Sequence, residues 1–227
     1  MKKDIKQLEE AIGYTFNDPG YLTVALTHSS YANEIKAGRG ADYERQEFLG
    51  DAVLELISSD HIFHNHPDMP EGDMTKLRAS LVCEPALAHC ARDIDLADYI
   101  RLGRGEESTG GRTKESIISD VMEAIIGGIY LDSGLDEAAK FVNRFIMSHA
   151  DEIHAFYDAK SQLQQLAQAN GQVVTYEVIG ESGPDHAKVY KVACLIDGEQ
   201  VSDGEGRSKK SAQQAAALDA LRSGKCI

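Results

Sequence analysis

The stretch that most constrains this chain is residues 116–130, SIISDVMEAIIGGIY. Its apolar residues are broken only by two serines, two acids and two glycines, a pattern that predicts a helix inside a helical core. Asp120 and Glu123 are three residues apart and therefore share one face of that helix. Gly127 falls at about 340° from Asp120 on the helical wheel, on the same face and one turn further along. A glycine inside a helix costs roughly 1 kcal/mol relative to alanine, and two stand here side by side. Close approach of another helix or backbone is the physical reason to expect for them.

A second segment supplies that helix. Residues 44–57 (ERQEFLGDAVLELI) place Glu44, Glu47 and Asp51 at about 0, 300 and 340°, a single narrow stripe. Phe48, Leu49, Ala52, Val53, Leu56 and Ile57 make the rest of the helix largely apolar. An acidic stripe is ordinarily a solvated face, and Glu55 at about 20° shows how readily one arises. A second apolar helix with acids of its own shifts that balance, because two such helices can pool their carboxylates. At ~4 Å and an effective dielectric of ~20, each like-charged pair costs on the order of 4 kcal/mol. Protonation relieves the repulsion, and so does a bound hard cation such as Mg²⁺. Acids pooled around a divalent ion are the arrangement expected of metal-assisted phosphodiester hydrolysis.

The string from Glu44 to Asp51 resembles the signature of ribonuclease III, and Asp120-Val121-Met122-Glu123-Ala124 resembles that family's second acidic motif. The resemblance runs from about Ile5 to Leu221. Tyr43 stands where the family often has Asn, and Gln46 where Leu is common; neither carries a carboxylate, so the expected chemistry is unaltered. The resemblance implies an all-α nuclease domain and an Mg²⁺-dependent endonuclease, with Mn²⁺ able to substitute, that cuts double-stranded RNA. Glu47, Asp120 and Glu123 are the implied metal ligands, and Asp51 is expected, beside Glu123, to act on the attacking water. Glu44 and Glu71 are implied as secondary active-site acids. The family works as a homodimer whose centres each cut one strand, leaving staggered ends with 5′-phosphates and 3′-hydroxyls. Processing of ribosomal and messenger RNA is the expected setting, with no small-molecule cofactor.

The net charge of −14 argues superficially against a nucleic-acid partner. Residues 1–159, however, hold 15 Lys and Arg against 29 Asp and Glu, whereas residues 160–227 hold 8 of each. This asymmetry marks two modules, and any RNA contact must come from local patches with marked salt sensitivity. The expected boundaries are a nuclease domain over 1–150, a linker over 151–158 and an RNA-binding domain over 159–227. Met1-Lys2-Lys3 leads into no apolar run, and Cys83, Cys90, Cys194 and Cys226 form no C-x-x-C pair. A reducing cytoplasm is therefore the expected location, without a membrane.

Within the first module the sequence predicts a short amphipathic helix over 6–12, then a helix capped by Asp18 and begun by Pro19. His28 is expected to be a packed histidine near that helix's end, and 38–40 a flexible loop. His61, His64 and His66 lack the remaining ligands of a zinc site. Asp73 is expected to cap the helix through Leu81. The glycine-rich segment 101–112 is read as a flexible connector; by resemblance it lies beside the substrate channel, where Arg104 and Arg112 are placed to meet phosphates. A last amphipathic helix is expected over 131–147.

The pattern then changes. A helix over 161–169 carries Gln164 and Gln168 on one side, and strands are expected over 173–179, 188–196 and 200–205, with Asp197-Gly198 as a hairpin turn. Ser208 caps a final helix whose first turn holds Lys209 and Lys210. Cations there oppose the helix dipole, which makes sense if an anion binds at that end. The α-β-β-β-α order and the string GEGRSKKSA resemble the double-stranded-RNA-binding domain, a small α+β fold. That domain reads duplex shape rather than base sequence. By resemblance Gln164 and Gln168 touch one minor groove, His186 the next, and Ser208, Lys209 and Lys210 the intervening phosphates. The competing reading is a duplex-RNA chaperone that retains the nuclease fold without its activity.

Overall fold

Local capping sets the first elements. Asp4 accepts the Lys6 amide and opens α1 (Ile5–Ile12), and Asp18 accepts the Gly20 amide with Pro19 beginning α2 (Pro19–Ala25). His28 does more than pack at a helix end: its ring accepts the Ser30 amide and caps α3 (Ser29–Glu34), a helix that the sequence pattern does not signal. The computed structural model describes residues 4–183 and 188–224, and its chain divides into two compact units, Met1–Ala150 and Asp151–Ile227.

The first unit continues through α4 (Glu44–Asn65), α5 (Glu71–Leu81), α6 (Glu84–Cys90), α7 (Arg104–Ser108), α8 (Glu115–Ser133) and α9 (Leu135–Phe145). Among its described residues the β contribution is one bridge between Thr27 and Arg101. The helix expected over 131–147 is in fact two pieces: α8 extends to Ser133, and Gly134 (φ +85°) turns the chain into α9. Asp73 lies inside the first turn of α5, whose cap position is Pro70. The glycine-rich connector contains α7 and is tied down by paired charges.

The long helices α4 and α8 form the most extensive contact of the unit, and α8 is buried along nearly its whole length, from Ile117 to Ile129. A Cβ at Gly50 would collide with the Glu123 carbonyl oxygen, and a Cβ at Gly127 with the Gln46 carbonyl oxygen. The glycines thus let the two backbones touch, as the cost of Gly127 led one to expect. Gln46, buried between them, donates through Nε2 to the carbonyls of Tyr21 (3.2 Å) and Ala124 (3.3 Å). A polar side chain is stable at this depth because its amide finds backbone acceptors.

The other side of α4 departs from expectation. Phe48, Leu56 and Phe63 are 81, 56 and 65% exposed, and Ala52 is exposed too. They form an uncovered apolar stripe beside the acids.

The second unit begins with α10 (Ala150–Ala169) and runs through β1 (Val174–Ser182), β2 (Val189–Ile196), β3 (Glu199–Gly206) and α11 (Lys209–Ser223). Residues 151–158, expected as a linker, are helical: no Pro or Gly interrupts them, and Asp151 and Glu152 suit the positive end of α10. The sheet is antiparallel in the order β1-β2-β3, with Asp197 and Gly198 at positive φ in the second hairpin. Leu163, Ala167, Cys194, Ile196, Ala216 and Ala220 form the centre of its core. Gln214 ties α11 to α10 by accepting the Lys160 amide and donating to the Tyr157 carbonyl.

Candidate active site and nucleic-acid interface

Close contact between α4 and α8 brings Glu47 and Asp51 to the same place as Asp120 and Glu123. Burial pushes the Glu47 carboxyl up to about 7, aided by the charges of Asp120, Glu44 and Asp51. Burial likewise raises Glu123 to about 8, with Asp51, Asp120, Glu47 and Glu84 adding repulsion. Asp120 is raised chiefly by burial and partly relieved by a hydrogen bond from Tyr43. Four carboxylates from two helices therefore feel one another across a half-buried surface. Such a set, oxygen donors only and electrostatically unsatisfied, fits a hard divalent cation.

Each remaining acid has a definite position. Glu44 is exposed at the start of α4 and acts on Glu47. Glu55 leaves the stripe to pair with Arg78 at 2.7 Å, bracing α4 against α5. Glu71 is exposed in the first turn of α5, where it accepts a hydrogen bond from Thr75, and it is not among the carboxylates acting on Glu47, Asp120 or Glu123.

Two further residues, neither of them marked by the acidic motifs, act on these carboxylates. Glu84, the first residue of α6, raises both Asp120 and Glu123; its one signal is an acid before Pro85 at a helix start. Tyr43 donates to Asp120 Oδ2 at 3.1 Å, and its place next to the signature was the available hint.

The two arginines of the 101–112 segment part company. Arg112 is held by Glu107 and by the Ala97 carbonyl, bonds that brace the loop's own structure. Arg104 is 95% exposed and lies 3.5 Å from Glu34.

In the second unit Gln164 and Gln168 are exposed on α10, four residues apart on one face. Ser208 caps α11 reciprocally with Ser211, so its hydroxyl orders the helix end. Lys209 and Lys210 are exposed in the first turn, and Lys209 Nζ sits 5.8 Å from the centroid of Tyr190. His186 lies outside the described residues.

The fold and site define a two-module protein, an acid-lined helical nuclease unit followed by a small α+β unit. Residues 18–150 match the Ribonuclease-III-like family model, and residues 159–223 match the double-stranded RNA binding motif. Ribonuclease 3 of Listeria welshimeri is 45% identical over 219 residues, covering 95% of this chain and 96% of the relative. Ribonuclease 3 of Oceanobacillus iheyensis is 45% identical over 224 residues, 97% of this chain and 98% of that one. A solved structure of the Campylobacter jejuni ribonuclease III nuclease domain is 41% identical with a TM-score of 0.60, covering 64% of this chain and 97% of that one.

The chain belongs to the ribonuclease III family, a family of metal-dependent endoribonucleases. Among the described residues, no helix is long and apolar enough to cross a membrane.

Proposed function

We propose that this protein is an Mg²⁺-dependent endonuclease that cuts double-stranded RNA, with Mn²⁺ able to substitute. The observation that carries the reading is the pool of carboxylates from α4 and α8, two of them pushed far above the ordinary carboxylate range. Glu47, Asp120 and Glu123 would hold the ion. When bound, such an ion lowers the pKa of a water and offsets charge on the scissile phosphate. Asp51 would orient the attacking water and accept its proton, a role supported by its exposure and by its influence on both Glu47 and Glu123. Hydrolysis then leaves a 5′-phosphate and a 3′-hydroxyl. Glu44, exposed beside Glu47, would serve as an outer or substrate-side acid. Glu71, on its own helix, is assigned an outer role.

The uncovered stripe of Phe48, Ala52, Leu56 and Phe63 supports a homodimer, with a second copy covering it. The Campylobacter nuclease-domain structure is described by flexibility in a region involved in dimer formation. Paired centres would cut the two strands at staggered positions. The second unit would hold the duplex through Gln164 and Gln168 at one minor groove, His186 at the next, and Lys209 and Lys210 on the phosphates between, with Ser208 at the same helix end. Processing of ribosomal-precursor, messenger and other structured RNAs in the cytoplasm is the setting that fits this chemistry.

A labelled RNA hairpin incubated with the protein in Mg²⁺ or in EDTA tests the reading. Cleavage in Mg²⁺ that stops in EDTA is expected. Cleavage that persists in EDTA would refute the role of the metal, and tight binding without cleavage in Mg²⁺ would favour the duplex-RNA chaperone.

A further inference from the structure

Tyr43 precedes α4, and none of the chemistry above uses it. Its side chain is 4% exposed, yet its hydroxyl reaches Asp120 Oδ2 at 3.1 Å. The backbone around it is fixed on both sides. The Tyr43 amide donates to the Thr27 carbonyl at 2.9 Å, and the Tyr43 carbonyl accepts from the Glu47 amide at 2.9 Å. Its ring meets that of His28 edge-on, with centroids 5.7 Å apart. One residue thus links three things: the turn of α4 that carries Glu47, the Asp120 carboxylate on α8, and the segment leading into α3.

We propose that Tyr43 is a positioning residue for the metal centre, holding Asp120 Oδ2 so that the other carboxylate oxygen is presented to the acidic pool. The inference rests on the metal-centre reading given above. A carboxylate turns about its Cβ–Cγ bond, and a donor fixed to one oxygen sets the plane of the other. A phenol suits the task because it is a single donor on a rigid ring whose backbone is pinned. Burial and the charge of Asp120 push its hydroxyl well above the ordinary tyrosine value, so it stays a donor. Groups that orient a ligand in this way matter typically by about tenfold to a hundredfold in metal affinity or activity.

Tyr43→Phe keeps the ring, the backbone bonds and the His28 contact while deleting the one hydroxyl. Mn²⁺ binding to the full-length wild type and variant is measured calorimetrically without RNA, and duplex cleavage is followed across a range of Mg²⁺ concentrations. The variant is expected to bind Mn²⁺ about tenfold more weakly or worse. Its cleavage should shift to correspondingly higher Mg²⁺ and recover there, while its melting in EDTA matches the wild type. Equal Mn²⁺ affinity in the two proteins overturns the positioning role and leaves the metal reading intact. Absence of Mn²⁺ binding by the wild type overturns the metal reading itself. A variant that melts lower in EDTA and is not rescued by Mg²⁺ shows a packing role, and that result also overturns the proposal.

Discussion

The two units confront the same electrostatic problem with opposite signs and at different depths. In the nuclease unit, carboxylates crowd a half-buried surface where a proton or a cation is needed to relieve them. In the second unit, Lys209 and Lys210 stand at a helix N-terminus, where the dipole opposes cations and an anion is wanted. Both sites are built on glycine. Gly50 and Gly127 let α4 touch α8 beside the acids, and Gly204 lies where a Cβ would strike the Ala216 amide of α11. Depth makes the difference. Glu47, Asp120 and Glu123 are partly desolvated and coupled, so loss of one disturbs the others. The lysines are exposed, so each contributes separately, through solvent and salt. The first site should therefore fail abruptly under substitution, and the second by degrees.

The largest effect should come from Glu123→Gln, which removes a charge from the pool at nearly constant volume. Cleavage of a duplex in Mg²⁺ should be abolished while binding in a gel-shift assay is retained. Ordinary cleavage by this variant would show that the carboxylate assignment is wrong, and with it the claim that the acidic site is coupled.

Gly127→Ala ranks next. Its methyl has no room against the Gln46 carbonyl, so α4 and α8 must separate. Overpacking of this kind costs typically about 1–3 kcal/mol, which for a chain of this length lowers the melting temperature by about 2–4 °C per kcal/mol. Activity should fall by more than the lost stability accounts for, since the same separation pulls Glu47 away from Glu123. A variant that melts lower yet cuts at the wild-type rate would break the link between backbone contact and acid geometry.

Those two variants probe what the sequence makes legible, because periodicity and glycine cost both point at the α4–α8 contact. Other features lie outside its reach for specific reasons. Phe48 and Leu56 are as hydrophobic as Val53 and Leu54, and composition does not say which pair faces its own core and which stays uncovered. Tyr43 acts on a residue 77 positions away, a relation carried by no local spacing. The partners of Arg112, Glu107 and the Ala97 carbonyl, are set by the fold of a segment that reads in sequence as a flexible connector. Helical structure over 151–158 is locally legible, since nothing there breaks a helix; the change of composition beyond it draws attention away. In the second unit, caps and turn residues announce nearly every element: Ser208 before α11, Asp197-Gly198 between β2 and β3.

For the shallow site, Lys209→Ala combined with Lys210→Ala should weaken duplex binding by a similar factor for every sequence. The slope of log affinity against log salt should flatten by roughly one for each phosphate contact removed. An unchanged slope would take these lysines out of the interface, and a total loss of binding would contradict the graded behaviour expected of exposed charges.

The smallest effect is one of pH and belongs to the deep site alone. Glu47 and Glu123 have folded values of about 7 and about 8 against an ordinary 4.5. Below pH 4.5 both carboxyls are protonated whether the chain is folded or not. Between 4.5 and about 8 the unfolded chain releases these protons while the folded chain keeps them, so folding stability declines as pH rises. Without metal, the full-length protein in EDTA should therefore melt lower at pH 8.5 than at pH 5.5. Solvent screens these partly exposed groups, so the difference should be about a few degrees and smaller than the raw shifts imply. Mg²⁺ reverses the trend by binding the ionised carboxylates of the folded state, and its stabilising effect should grow with pH. Circular dichroism melts across this range, with and without Mg²⁺, check the sign. Stability that climbs with pH in EDTA would mean that the acids are solvated and uncoupled, and the contrast between a deep site and a shallow one would disappear.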